Sequence, residues 1–526
     1  MANKPGVKSA KKHGTENETK VLRKLGVNEM SQLAMYTLDQ YRGTTVSCRY
    51  EIPPHLASAE SRAQLEDAVK VAVVDTIMRH PMLQVGIIDA TSKTPSWIQL
   101  ESLDLTQHIN WLHLTKHDDF QHTVQETFCT QLDDHFPDLS IRQPGWKLTV
   151  IRHGNAPIME ALLTWNHPQF DAMGAKVFHE DLLTMLNADS GTHERTGLDD
   201  HVLKLPQAAP LLPAPIEVLE KLPVDLKHLA KAFWEETRPE FLNRDVSRAT
   251  WCPIRLSPYK TQFRVFFVDN TSVLTLQALC RQNQTTITGL LNGLALISFA
   301  AHLDTAATPA FQSSTIVDHR RNLPPAPPDA PWGTSDRAIS NYVTQCLHKY
   351  DTDLVARIRS KLPTNTGSDE GDMEGNRALS ADLVRELWVV SAQNRREIAA
   401  KLEAGLRNDL VGLFKYVSDW QQTMGGIAKR ARHFSWLVTN IGVLDGGGST
   451  ESGDGDGDGQ KWSIGRAQFG LSTEVPMAAI EFSPVSVAGR GMCVGASWGD
   501  CVVDVTLAER IMADLELWLV QLAGQS

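Results

Sequence analysis

The residues best suited to do chemistry in this chain are His167 and Asp171, four positions apart in Trp-Asn-His-Pro-Gln-Phe-Asp-Ala-Met-Gly over 165–174. A neutral imidazole titrates near pH 7 and accepts a proton from a hydroxyl without prior activation. The apolar run 160–166 ahead of it reads as a buried strand, so His167 stands at a strand end, where a cleft can reach it. Asp171 is placed to brace the turn that follows. By spacing alone, a buried histidine followed by an ordinary helix-capping aspartate fits at least as well.

Other motifs carry less. Gly-Ala-Ser-Trp-Gly over 495–499 matches a nucleophile elbow, but the last histidine is His433, so Ser497 lacks the downstream partner that the elbow needs. Asp454, Asp456 and Asp458 begin like a calcium loop, yet the twelfth position is Gly465 where a bidentate Glu belongs. His179-Glu180 opens a zincin-like pattern whose second histidine position is Leu183. His167 and Asp171 are too few ligands for a catalytic zinc, and no metal is expected.

The elements that must position His167 follow from patterning. Alternation over 46–52 predicts a strand. Ser61 is a plausible helix start, with Leu65, Ala68, Ala72 and Thr76/Ile77 facing inward. Further strands are expected over 83–88, 264–268 and 436–443. Helices are expected from about Gly174, with Ala175, Phe178, Leu182 and Met185 on one side, and over 288–303. The stretch 287–303 is too short to span a membrane comfortably and contains Asn292 and His302, so it reads as a buried helix.

At 526 residues the chain exceeds what one core usually fills, so two lobes are expected. Mixed strands and helices in both halves indicate two α/β lobes with substrate in the cleft between them. The boundaries read as a disordered tail over 1–24, an N-terminal lobe over 25–202, a Pro- and Ala-rich crossover over 203–245, and a C-terminal lobe over 246–526. Gly- and acid-rich loops are expected over 364–376 and 446–459. A net charge of −11 argues against nucleic acid or anionic lipid as a general partner. Seven irregularly spaced cysteines read as reduced thiols, and no apolar run follows the N-terminal lysines, so a cytoplasmic protein is expected.

The 165–174 segment resembles the His-x-x-x-Asp-Gly motif of coenzyme A-dependent acyltransferases, which include chloramphenicol acetyltransferase, plant BAHD enzymes and peptide-synthetase condensation domains. The closest resemblance is to the fungal alcohol acetyltransferase branch. Supporting segments occur in family order: 25–29 and 41–43 before the first strand, Arg-His-Pro-Met-Leu-Gln-Val-Gly over 79–86, Val-Asp-His-Arg-Arg over 317–321 with Ile-Ser-Asn-Tyr over 339–342, and Val-Thr-Asn-Ile-Gly over 438–442.

That resemblance implies two chloramphenicol-acetyltransferase-like lobes of α/β (α+β, two-layer) structure with a solvent tunnel between them. It implies His167 as general base in direct O-acetyl transfer from acetyl-coenzyme A to a small-molecule alcohol of specialised metabolism, by a monomer. Asp171 would be structural, paired with Arg320 (Arg321 as alternate). Thr439 and Asn440 would stabilise the oxyanion, unless they are simply a polar strand end. Lys429, Arg430 and Arg432 could hold coenzyme A phosphates, with a solvated helix end as the plainer reading. Two departures stand out: Ala172 replaces the motif glycine, and Asn166 replaces the second histidine of condensation domains. N-acylation of an amine, or a non-catalytic carrier-docking protein, are the rival readings.

Overall fold

The computed structural model describes residues 20–524 apart from 116, 137–142, 189–196, 238–244, 364–377, 428 and 448–460. The loop expected over 364–376 and most of the one over 446–459 lie outside the described residues.

Two large sheets dominate. The first has five strands in the order Ser463–Leu471, Gly43–Glu51, Ile158–Asn166, Trp146–His153, Ile109–Leu114. The second has seven: Thr261–Val268, Gly491–Gly499, Ala478–Val487, Phe434–Val438, Phe311–Asp318 and Val343–Tyr350 in order, with Val443–Leu444 paired to Ala478–Val487. The expected strand over 436–443 is therefore two pieces. Asn440 and Gly442, the latter at φ +78°, turn the chain between them.

Helices Arg62–Arg79 and Ala172–Asn187 cover one face of the first sheet, and Phe120–Leu132 lies on the other. Helix Ile287–His302 is the centre of the second lobe, packed against Ala381–Ala404 and Val505–Gly524. Its residues are mostly buried inside the protein, and among the described residues no single helix is long and apolar enough to cross a membrane.

Three boundaries differ from the sequence expectation. The tail expected to be disordered to residue 24 contains a strand, Val21–Lys24, paired with Ser96–Gln99. Arg23 secures it with a two-pronged pair to Glu29 at 2.7 and 2.8 Å. The crossover over 203–245 is also partly ordered. Its helix Ile216–Leu219 docks on the first lobe, where Glu217 Oε1 accepts from the Val27 N–H at 2.9 Å. Finally, Ser463–Leu471 belongs by sequence to the second half but closes the first sheet against Gly43–Glu51.

That exchanged strand also ties the lobes together. Ser483 donates to the Phe469 carbonyl at 2.6 Å. Gly495 opposite must be glycine, since a Cβ there would stand 2.6 Å from the same carbonyl.

Candidate active site

Strand Ile158–Asn166 is buried on both faces between Gly43–Glu51 and Trp146–His153, so its end is a fixed platform. Pro168 stops it, and the chain turns through Gln169 and Phe170. Phe170 stacks on Trp165 at 5.0 Å and its carbonyl accepts from the Trp165 indole at 2.7 Å, which closes the turn. Asp171 then caps helix Ala172–Asn187, accepting from the Gly174 N–H at 2.9 Å. The helix starts at Ala172, two residues ahead of the expected start. Ala172 occupies an ordinary first helical position, so it imposes no backbone strain in place of the motif glycine.

Asp171 and Arg320 meet. Arg320 Nη1 and Nη2 donate to the two carboxylate oxygens at 2.9 and 2.8 Å, with both residues buried. The Tyr342 N–H donates to the same carboxylate at 2.9 Å. Arg320 also donates to Asp318 and to the carbonyls of Ala338 and Ser340. Burial opposes the guanidinium charge, but Asp171 and Asp318 outweigh it and its pKa is raised. Arg320 begins a short turn after strand Phe311–Asp318, so the pair spans the two lobes.

His167 is held by a residue that has no individual role among the sequence expectations. Asn341 Nδ2 lies 3.1 Å from the ring Nδ1 and 3.2 Å from the His167 carbonyl oxygen. Tyr41 flanks the ring at 5.7 Å between centroids. Burial, the largest influence, pulls the imidazole below its ordinary pKa. Asp171 and the ring's contact with its own backbone carbonyl pull it partly back. The ring is therefore neutral at pH 7. It is buried, with 9% of its surface accessible. Asn341 lies in the 339–342 segment, but its contact with His167 joins residues 174 positions apart, which no local pattern reveals.

The remaining expected residues divide. Asn440 is partly committed: its Nδ2 donates to Thr288 Oγ1 at 3.0 Å and its Oδ1 accepts from the Gly442 N–H at 2.8 Å. One of its two amide N–H groups thus braces the turn, and the other stays available for the expected role of oxyanion donor. Thr439 keeps its hydroxyl for such a role, while its backbone N–H donates to Phe482. Lys429 and Arg430 line an open cleft of about 720 Å³ with Gln421, Gln422 and Thr423. Arg432 does not join them. It is buried, and its guanidinium donates to the carbonyls of Cys252, Val475 and Ala478. Its expected role as a phosphate ligand is corrected, because it supports the chain from within.

Arg321 remains in the turn beside Arg320, which alone takes Asp171. Ser497 lies within strand Gly491–Gly499, not on an elbow. Buried His179 is occupied by the Tyr50 hydroxyl at 3.0 Å and the Val46 carbonyl at 3.2 Å. Among the described residues no group of three or more His, Cys, Asp and Glu side chains is arranged to hold a metal, and the seven cysteines are free thiols.

Residues 111–365, which include His167, Asp171, Arg320 and Asn341, match the alcohol acetyltransferase family model. A probable alcohol acetyltransferase of Fusarium pseudograminearum is 22% identical over 96% of this chain and 96% of its own length. Another, of Aspergillus fumigatus, is 20% identical over 92% of this chain and 96% of its own. Among solved structures, a trichothecene 15-O-acetyltransferase of Fusarium sporotrichioides superposes with a TM-score of 0.64 at 14% identity, covering 98% of this chain and 96% of that one. The condensation domain of the monacolin K polyketide synthase superposes at 0.54 with 10% identity, over 96% of this chain and 98% of that domain. The fold is thus the two-lobed chloramphenicol-acetyltransferase type.

Proposed function

We propose that this chain, whose residues 111–365 match the alcohol acetyltransferase family model, is an acyltransferase that transfers an acetyl group from acetyl-coenzyme A to the hydroxyl of a small specialised-metabolite alcohol, with His167 as general base. The observation that carries this reading is a neutral imidazole at the seam of two lobes, held by Asn341 and aimed by the Asp171–Arg320 pair. In the tautomer this step needs, Nδ1 carries the proton and shares it with the residue's own carbonyl oxygen, Asn341 Nδ2 donates to that carbonyl at 3.2 Å and not to the ring, and Nε2 keeps a free lone pair.

Nε2 takes the proton from the acceptor hydroxyl as its oxygen attacks the thioester carbon. The negative charge that develops on the thioester oxygen needs a donor, and Thr439 and the second amide N–H of Asn440 are the candidates. As the C–S bond breaks, the imidazolium returns its proton to the thiolate, so coenzyme A leaves as the thiol and the ester as product. The chemistry requires neither a covalent enzyme intermediate nor a metal. Lys429 and Arg430 suit the phosphates of coenzyme A, as cations beside an open cleft. The two substrates would meet in a tunnel between the lobes, one from each face.

The test is thiol release from acetyl-coenzyme A in the presence of an alcohol panel, with ester formation followed by mass. The reading expects release that depends on the alcohol and is lost in His167→Ala. Release with amines but not alcohols would replace it with N-acylation. No release with any acyl donor would replace it with a carrier-docking role.

A further inference from the structure

Acyl transfer as described leaves one buried acid unused. Glu481 on strand Ala478–Val487 stands directly across from Ser497 on strand Gly491–Gly499. Cross-strand partners project from the same sheet face, and residues two apart share it. Two positions along, Ser483 on this face reaches the Phe469 carbonyl of the other lobe. The face that bears Glu481 and Ser497 is therefore turned toward the first sheet. Glu481 is also in register with Leu437, so Thr439, two residues on, lies on the same face.

Neither group has found a partner. Glu481 is 2% exposed, and neither carboxyl oxygen is hydrogen-bonded; the Ser497 hydroxyl, equally buried, is also unbonded. The Glu474 backbone N–H approaches the Glu481 carboxyl without reaching hydrogen-bond geometry. Arg432 is close enough to feel the carboxyl's charge; its Nη1 is spent on the Val475 and Ala478 carbonyls, while its buried Nη2, like the Glu481 oxygens, makes no hydrogen bond within the protein. A buried polar group left without a partner is costly, so folded proteins seldom keep one that nothing fills.

The location is next to the chemistry. Tyr41, whose ring flanks His167, also lies within electrostatic reach of Glu474 and Glu481. Burial pushes the Glu481 carboxyl well up, and that of Glu474 up to about 7. In its neutral form Glu481 offers one O–H donor and a carbonyl acceptor, and Ser497 offers one of each. That set suits an uncharged oxygen function. An ammonium would instead require the carboxylate, which this site disfavours.

We propose that Glu481 and Ser497 form an acceptor subsite that hydrogen-bonds a second oxygen function of a neutral polyoxygenated alcohol while its reacting hydroxyl lies at His167. This rests on the acetyl-transfer reading above. The substrate class is then alcohols with at least two oxygen functions on one rigid skeleton, and simple mono-alcohols are poor acceptors.

The experiment uses the full-length chain, acetyl-coenzyme A, and terpenoid mono-alcohols each paired with the diol of the same skeleton, beginning with menthol and the menthane diol that adds a side-chain hydroxyl. The quantity read is the diol-to-mono-alcohol ratio of kcat/KM. We expect the unaltered protein to favour diols by about tenfold or more. Glu481→Leu should collapse that preference toward unity, Ser497→Ala should reduce it, and Glu481→Gln, which keeps a donor and an acceptor, should retain most of it. An unchanged ratio in Glu481→Leu overturns the subsite, as does a loss confined to the KM for acetyl-coenzyme A. If Glu481→Leu does not fold, Ser497→Ala and Glu481→Gln decide the matter by the same ratio. Absence of thiol release with every acceptor instead removes the acetyl-transfer reading, and the subsite with it.

Discussion

Two buried acids, Asp171 beneath His167 and Glu481 on the strand opposite Ser497, are treated in opposite ways. Asp171 accepts two bonds from Arg320 and one each from the Gly174 and Tyr342 N–H groups. Glu481 accepts none. The first arrangement is complete without any ligand, as a scaffold must be if it is to aim His167 before substrate arrives. The second is incomplete within the protein, and a binding wall has that character until it is filled. A charge shared between lobes and fully bonded belongs to the architecture, while an acid without partners belongs to what the architecture encloses.

The sharpest way to break this comparison is at the proposed base, His167. His167→Ala should lower kcat by about 10²–10⁴-fold while leaving the melting transition near that of the unaltered protein, measured by thiol release and calorimetry in parallel. Equal loss of stability and activity would place His167 among the scaffold residues.

Next comes a paired stability measurement. Arg320→Ala strands a buried Asp171 and should cost about 3–5 kcal/mol in denaturant unfolding. Glu481→Leu removes an acid whose oxygens make no hydrogen bond and whose one cationic neighbour, Arg432, is bonded to backbone carbonyls, so its unfolding free energy should fall by much less. A large destabilisation by Glu481→Leu would make the two acids alike and end the distinction.

A smaller effect should appear in the pH profile. Burial depresses the His167 pKa, so the ring stays neutral to below its ordinary value of about 6.5. The acid limb of kcat/KM should therefore fall at a pH lower than 6.5, with no loss between there and neutrality. A limb centred above 6.5 would contradict the buried, neutral ring. Asn341→Ala should lower kcat by roughly tenfold through loss of ring orientation, with little change in either KM.

The parts legible in the sequence were those encoded locally or by an ordered motif. His167 at a strand end, Asp171 at the helix cap and the Arg320 partner all sit where the motif and its neighbours imply. Asn440 and Arg432 carry commitments that the linear string hides. Each looks available in a linear string, but Thr288 lies 152 positions from Asn440, and Cys252 lies 180 from Arg432. Long-range bonds of that kind consume polar side chains invisibly. Alternation over 463–471 announces a strand, but a period of two is the same whichever sheet the strand joins. The orphaned state of Glu481 is legible only in three dimensions, since its neighbour Ser497 is a residue of another strand.

The exchanged strand Ser463–Leu471 has a consequence for how the protein is made. The edge of Gly43–Glu51 that it covers is synthesised first, yet its partner, beginning 412 residues after Glu51, emerges from the ribosome long afterwards. Until then the first lobe carries an open backbone edge of the kind that recruits stray strands. Its maturation must wait for that distant segment, and any fragment that stops short of residue 463 would inherit that sticky edge permanently.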